Sequence, residues 1–125
     1  MYIIFGNEQA QTLSENYTVL ALDTFRFIPD NVEKTAYAVI ENIPITDMPE
    51  VAGQKDMHAK LIENYQNRNW NYCEQAIEEL TGAWNNELDS FYSELQSRIN
   101  NYKENDPGEH WDYAIEKIVS NPLQS

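Results

Sequence analysis

Residues 17–40 read YTVLALDTFRFIPDNVEKTAYAVI, and the organisation of the chain is read outward from them. Residues 17–28 and 35–40 are rich in β-branched and aromatic side chains, the composition of strands. Between them, Pro29-Asp30-Asn31-Val32-Glu33-Lys34 supplies turn chemistry, so an antiparallel hairpin is expected. Upstream, the apolar run Tyr2-Ile3-Ile4-Phe5, closed by Gly6-Asn7, reads as a third strand. Ala10 and Leu13, three apart among polar residues, suggest a short helix over 7–15. That helix makes a crossover of about ten residues from the first strand, near the lower limit for a parallel connection.

Downstream the apolar period becomes helical. Asp47-Met48-Pro49-Glu50 offers an N-cap acid with Glu three positions later, and Leu61, Ile62 and Tyr65 mark the face of a helix running to about residue 66. Asn67-Arg68-Asn69 reads as a turn whose Asn69 caps a second helix carrying Trp70, Cys73, Ile77 and Leu80, with Gly82 as its stop. Leu88, Phe91, Tyr92, Leu95, Ile99 and Tyr102 form the clearest helical stripe. Asp106-Pro107-Gly108-Glu109 has the form of a helix start, so Trp111, Ala114, Ile115 and Ile118 are read as a last helix ended by Asn121-Pro122. The expectation is an α+β domain over 1–125. It has a small three-stranded sheet with a short helix (1–45), then about four antiparallel helices (46–121).

One self-similarity stands out. Trp70-Asn71-Tyr72-Cys73 with Ile77, and Trp111-Asp112-Tyr113-Ala114 with Ile118, repeat Trp, Asn/Asp, Tyr, a small residue and Ile. The first copy resembles a tetratricopeptide-type helical hairpin, with Trp70, Cys73 and Ile77 in the aromatic, small and large apolar places. The Gly of that family's first helix is replaced by Asn67-Arg68-Asn69. An ordinary packing of four helices is the plainer reading and is preferred. The whole chain also resembles short uncharacterised proteins encoded by marine tailed phages, through Tyr2-Ile3-Ile4-Phe5-Gly6, Leu22-Asp23-Thr24-Phe25 and Asn69-Trp70-Asn71-Tyr72-Cys73. That resemblance implies a host-cytoplasmic location and carries over no catalytic residue.

The 125 residues hold 21 acids against 8 bases, a net charge of −13, with 15 aromatic residues for a core. Such a charge argues against direct contact with nucleic-acid phosphates, which needs clustered Lys and Arg, and against anionic membranes. No run approaches the ~18 apolar residues that span a bilayer. The start of the chain lacks a basic region and a long apolar stretch, so a cytoplasmic protein is expected. With Cys73 alone, no intrachain disulfide forms.

Residues able to carry chemistry are few. His58, His110 and Cys73 have no zinc-ligand spacing, so no metal or cofactor is expected. His58 reads as a hydrogen-bonded, partly buried side chain and His110 as a surface residue at a helix start. A Cys73–His58 pair is conceivable, but Cys73 lies on an apolar stripe beside Glu74 and Glu78, where a thiol packs as a small hydrophobe. Asp23, among Val19, Phe25 and Phe27, reads as a hydrogen-bonded structural acid. Residues 69–97 contain Glu74, Glu78, Glu79, Glu87, Asp89 and Glu94 and no Lys or Arg. Their plainest role is a solvated face, and their functional reading is a docking face for a basic protein surface. The expected function is therefore a non-enzymatic protein–protein interaction module, with Glu74, Glu78, Glu79, Glu87 and Glu94 as its candidate face. The alternative is an acidic nucleic-acid mimic that blocks a DNA-binding enzyme; a hydrolytic or metal-dependent enzyme has the least support. A homo-oligomer stays open, and Trp84 or Tyr92 exposed on a helix would mark its surface.

Overall fold

The computed structural model describes residues 1–40 and 49–118. The expected hairpin forms: β2 (Thr18–Ile28) and β3 (Val32–Ile40) pair antiparallel, as β1 (Tyr2–Phe5) does with the far side of β3. The turn between β2 and β3 places Asn31 at φ 56°, a left-handed conformation that Asn tolerates through its short polar side chain. Gly6, at φ 104°, swings the chain off β1 into α1 (Asn7–Leu13), where a side chain is strained. Because β3 lies between them, β1 and β2 run in the same direction and α1 is a short parallel crossover.

Three further helices follow: α2 (Pro49–Gln66), α3 (Trp70–Leu80) and α4 (Asp89–Glu104). Asn69 occupies the N-cap position of α3, but its side-chain amide turns back to Asn64 Oδ1 (2.9 Å) instead of capping. The expected Asp47 cap and the Asn121-Pro122 stop lie outside the described residues.

Two expectations are corrected. The sheet has four strands rather than three, in the order β1-β3-β2-β4, and where the last helix is expected between Asp106-Pro107 and Asn121-Pro122, residues 115–118 are in fact β4 (Ile115–Ile118), parallel to β2. The helical half therefore holds three described helices, not about four. The cause is competition for residues 115–118. A single short helix is marginal in isolation, whereas the bare edge of β2 offers ladder hydrogen bonds opposite Phe25, Arg26, Phe27 and Ile28. Arg26 reinforces that choice by pairing with Asp112 and with Glu116 (3.4 Å). The two Trp-led segments are thus not two helical hairpins of one kind. Trp70 and Trp111 instead meet, with ring centroids 5.8 Å apart, in a cluster with Tyr65 and Tyr102.

Away from the hairpin tip the sheet is covered on both faces. Leu20, Leu22, Ala36, Ala38 and Ile40 face the large helices and share a core with Leu61, Cys73, Ile77, Leu80, Trp84, Leu88, Tyr92, Leu95 and Ile99. Ile4 and Val39 face the other way, beneath Ala10 of α1. The alternation of Ala38 and Val39 onto opposite faces follows from the two-residue period of a strand.

Candidate functional site

One irregularity in β2 shapes the surface. Ala21 pairs with Tyr37 and Thr24 with Thr35, so Leu22 and Asp23 share Ala36 as a β-bulge. An extra residue inverts the alternation: Thr18, Leu20 and Leu22 are buried toward the helices before the bulge, and Phe25 and Phe27 take over that face after it. The bulge itself is held from α2 and α4. His58 Nε2 lies 2.6 Å from the Ala21 carbonyl, and Arg98 grips Asp23 with two bonds of 2.8 and 2.9 Å. Burial opposes the Arg98 charge, but Asp23 outweighs it and holds the guanidinium firmly protonated.

His58 is buried, as the core polar residue of α2. Trp84 Nε1 donates to Tyr92 Oη (2.9 Å), so the Tyr92 proton is free for His58 Nδ1 (2.9 Å). Nε2 then carries the ring proton and donates it to Ala21, which defines a neutral imidazole. Burial pushes its pKa down to about 4 against the opposing pull of the Ala21 carbonyl. With both nitrogens engaged, His58 has none left for a substrate. Cys73 is fully buried, its Sγ faces the Leu61 carbonyl at 3.8 Å, and burial pushes its thiol up to about 12. The structure does not bring Cys73 and His58 together. His110 is exposed in the turn before β4 rather than at a helix start. Among the described residues no three His, Cys, Asp or Glu side chains converge as metal ligands, and no helix is long and apolar enough to cross a membrane.

The five candidate acids do not gather on one face. Glu74 joins Lys103 (3.1 Å) and Gln96 on the α3–α4 seam. Glu94 turns to the opposite flank of α4, toward the sheet, and pairs with Arg98 (3.0 Å) beside Asp23. Glu87 reaches the Met1 amine (3.0 Å), leaving its Oε2 shielded and without a partner among the described residues. Glu78 and Glu79 stay exposed on α3, with Glu79 beside Met57 and Tyr72 in a shallow hollow. Trp84 and Tyr92 are buried, so neither marks a self-association surface.

The prominent surface feature is one that spacing did not single out. The helices stop short of the hairpin tip, leaving the helix-side face of the sheet uncovered there. Phe5, Phe25 and Phe27 meet on it with centroids 5.9 to 6.5 Å apart. Ile3 is 52% exposed, and Phe5 and Val32 are each 44% exposed. A cleft of about 290 Å³ runs from this overhang to the start of α4, floored by Ile3, Phe5, Phe25, Leu88 and Phe91 and edged by Asp23, Glu87 and Glu94. A second hollow continues past Phe5 to Phe27, Val32 and Lys34. The available signals were the uncharged run Tyr2–Phe5 and the slip in spacing between Leu20, Leu22 and Phe25, Phe27.

Compared with protein-family models, with curated proteins and with solved structures, the chain has no match in any of the three.

Proposed function

We propose that the chain is a non-enzymatic protein-interaction module that receives a basic, amphipathic segment of another protein in the cleft between the sheet overhang and the start of α4. The observation that carries this reading is the cluster of half-buried Phe25 and Phe27 with exposed Phe5, flanked by exposed Ile3 and Val32, at the end of an otherwise covered face. Aromatic groups in a partly enclosed site are the usual anchors of protein contacts, and an exposed apolar patch of this kind marks an interaction surface. The sign of the partner follows from the net charge of −13, since Asp23, Glu87 and Glu94 at the cleft edge are already paired with Arg98 and the Met1 amine. Glu74, Glu78 and Glu79 contribute to the long-range field rather than to the contact. A phosphate-mimicking role draws less support, because the carboxylates lie on separate flanks and Glu74, Glu87 and Glu94 already hold cations.

The test is selection from a displayed library of random peptides on the immobilised chain. Enriched peptides should combine Lys or Arg with bulky apolar residues, and their binding should weaken as salt is added. Phe27→Ser should reduce their affinity by about tenfold or more. Enrichment of acidic peptides, or binding indifferent to Phe27→Ser and Phe5→Ser, would overturn the reading.

A further inference from the structure

β1 ends the sheet on one side, and its outer edge meets no strand among the described residues. The bond from Gly6 N–H to the Thr35 carbonyl (3.3 Å) sets the phase of the β1–β3 ladder. Tyr2, Ile4 and Gly6 direct their backbone groups to β3, so Ile3 and Phe5 direct theirs outward. These are also two of the exposed apolar side chains. Edges of natural sheets are usually protected by a charge, a proline, a bulge or a covering segment, and among the described residues β1 shows none of these, only its shortness.

We propose that two copies of the chain join edge to edge through β1, antiparallel about a twofold axis at Ile4. In that register Ile3 of each copy stands opposite Phe5 of the other, and four outward N–H and C=O pairs close across the axis. The pairing is self-complementary because the two outward-facing residues are equally spaced about Ile4. A second copy fits this edge for an electrostatic reason as well. Molecules of charge −13 repel over most of their surface, but β1 carries no charged side chain, and the first in the chain is Glu8. Nor does α1 stand in the way. After Gly6 it packs on β1, β3 and β2 alike, so it runs inward from the edge. The result is one continuous eight-stranded sheet whose two phenylalanine overhangs lie side by side, with Val32 of each still exposed. A four-residue edge buries less than the ~1,200 Å² of a standard stable interface, so the association is weak and concentration-dependent. It stands independently of the partner proposed above.

Sedimentation velocity over a concentration series should show a shift from monomer to dimer. Ile3→Lys should abolish it while leaving the thermal midpoint unchanged, since that side chain is exposed; Phe5→Lys should abolish it too, with a lower thermal midpoint because Phe5 packs on Phe25 and Phe27. The register is tested by oxidative cross-linking. Residues 3 and 5′ lie about 5.5 Å apart at Cα in a hydrogen-bonded antiparallel pair, within disulfide reach, whereas 3 and 3′ are about 8 Å apart and beyond it. A mixture of Ile3→Cys and Phe5→Cys chains should therefore cross-link, and neither alone should. A chain that stays monomeric at every concentration, Lys variants that dimerise like the parent, or single-cysteine chains that cross-link as well as the mixture would each overturn the proposal. Peptide selection failing while the dimer persists would remove only the partner reading.

Discussion

At the scale of single residues, His58 has the most constrained environment in the molecule. A buried imidazole held neutral between Tyr92 and Ala21 makes stability depend on pH in a defined direction. Its folded pKa is about 4 and its ordinary value 6.5. Between these values the unfolded chain binds the extra proton and the folded chain does not. The stability is therefore whole above pH 6.5, falls on acidification, and stops falling below about pH 4, a total of about 3 kcal/mol. Urea midpoints at pH 7 and 4.5 should differ more for the parent than for His58→Gln, which has no such proton to take up. Parallel pH slopes would show that the ring is not held neutral. Asparagine has a legible role at this scale too. Asn31, Asn85 and Asn86 all adopt positive φ, so part of the chain's asparagine bias meets backbone conformations that most side chains avoid.

At the scale of elements, the bulge at Leu22 and Asp23 fits one extra residue into β2 opposite Ala36. Removing Asp23 takes out the extra residue, so the ladder closes without a bulge and Phe25 and Phe27 keep the helix side, while Arg98 loses its main partner. Deleting Asp23 should therefore cost about 3 kcal/mol through the half-buried Arg98 left without it, and Asp23→Asn, which keeps one acceptor for the guanidinium, should cost less. Chemical denaturation of both variants checks the order; equal losses would mean that the Asn amide does nothing to replace the carboxylate opposite Arg98. β4 teaches a different lesson. Its residues satisfy a helical spacing and sit behind a helix-start signature, yet they form a strand because the second half of β2 needs a neighbour. Local pattern loses there to a tertiary hydrogen-bonding demand that no window of sequence contains.

At the scale of the whole molecule, charge works against the core. A net charge of −13 repels itself in the compact state, while the sheet and the three large helices share one apolar interior. Raising the ionic strength from about 0.01 to 0.15 M shortens the screening length from about 30 to 8 Å, so the thermal midpoint should rise. A fall would mean that pairs such as Asp23–Arg98 and Glu74–Lys103 outweigh the repulsion.

What the amino-acid order determined alone is what local periodicity and turn chemistry can encode. That includes the β2–β3 hairpin, the α1 crossover, α2 to α4 and the inert burial of Cys73. Each depends on neighbours within a few residues or on the apolar character of one stripe. The tertiary structure decided what depends on distant edges meeting: β4 as a strand, the convergence of Trp70 with Trp111, the dispersal of the acids over separate flanks, and the open phenylalanine face. That face exists because the helices end before the hairpin does, and where two elements stop relative to each other is a property of their packing in space.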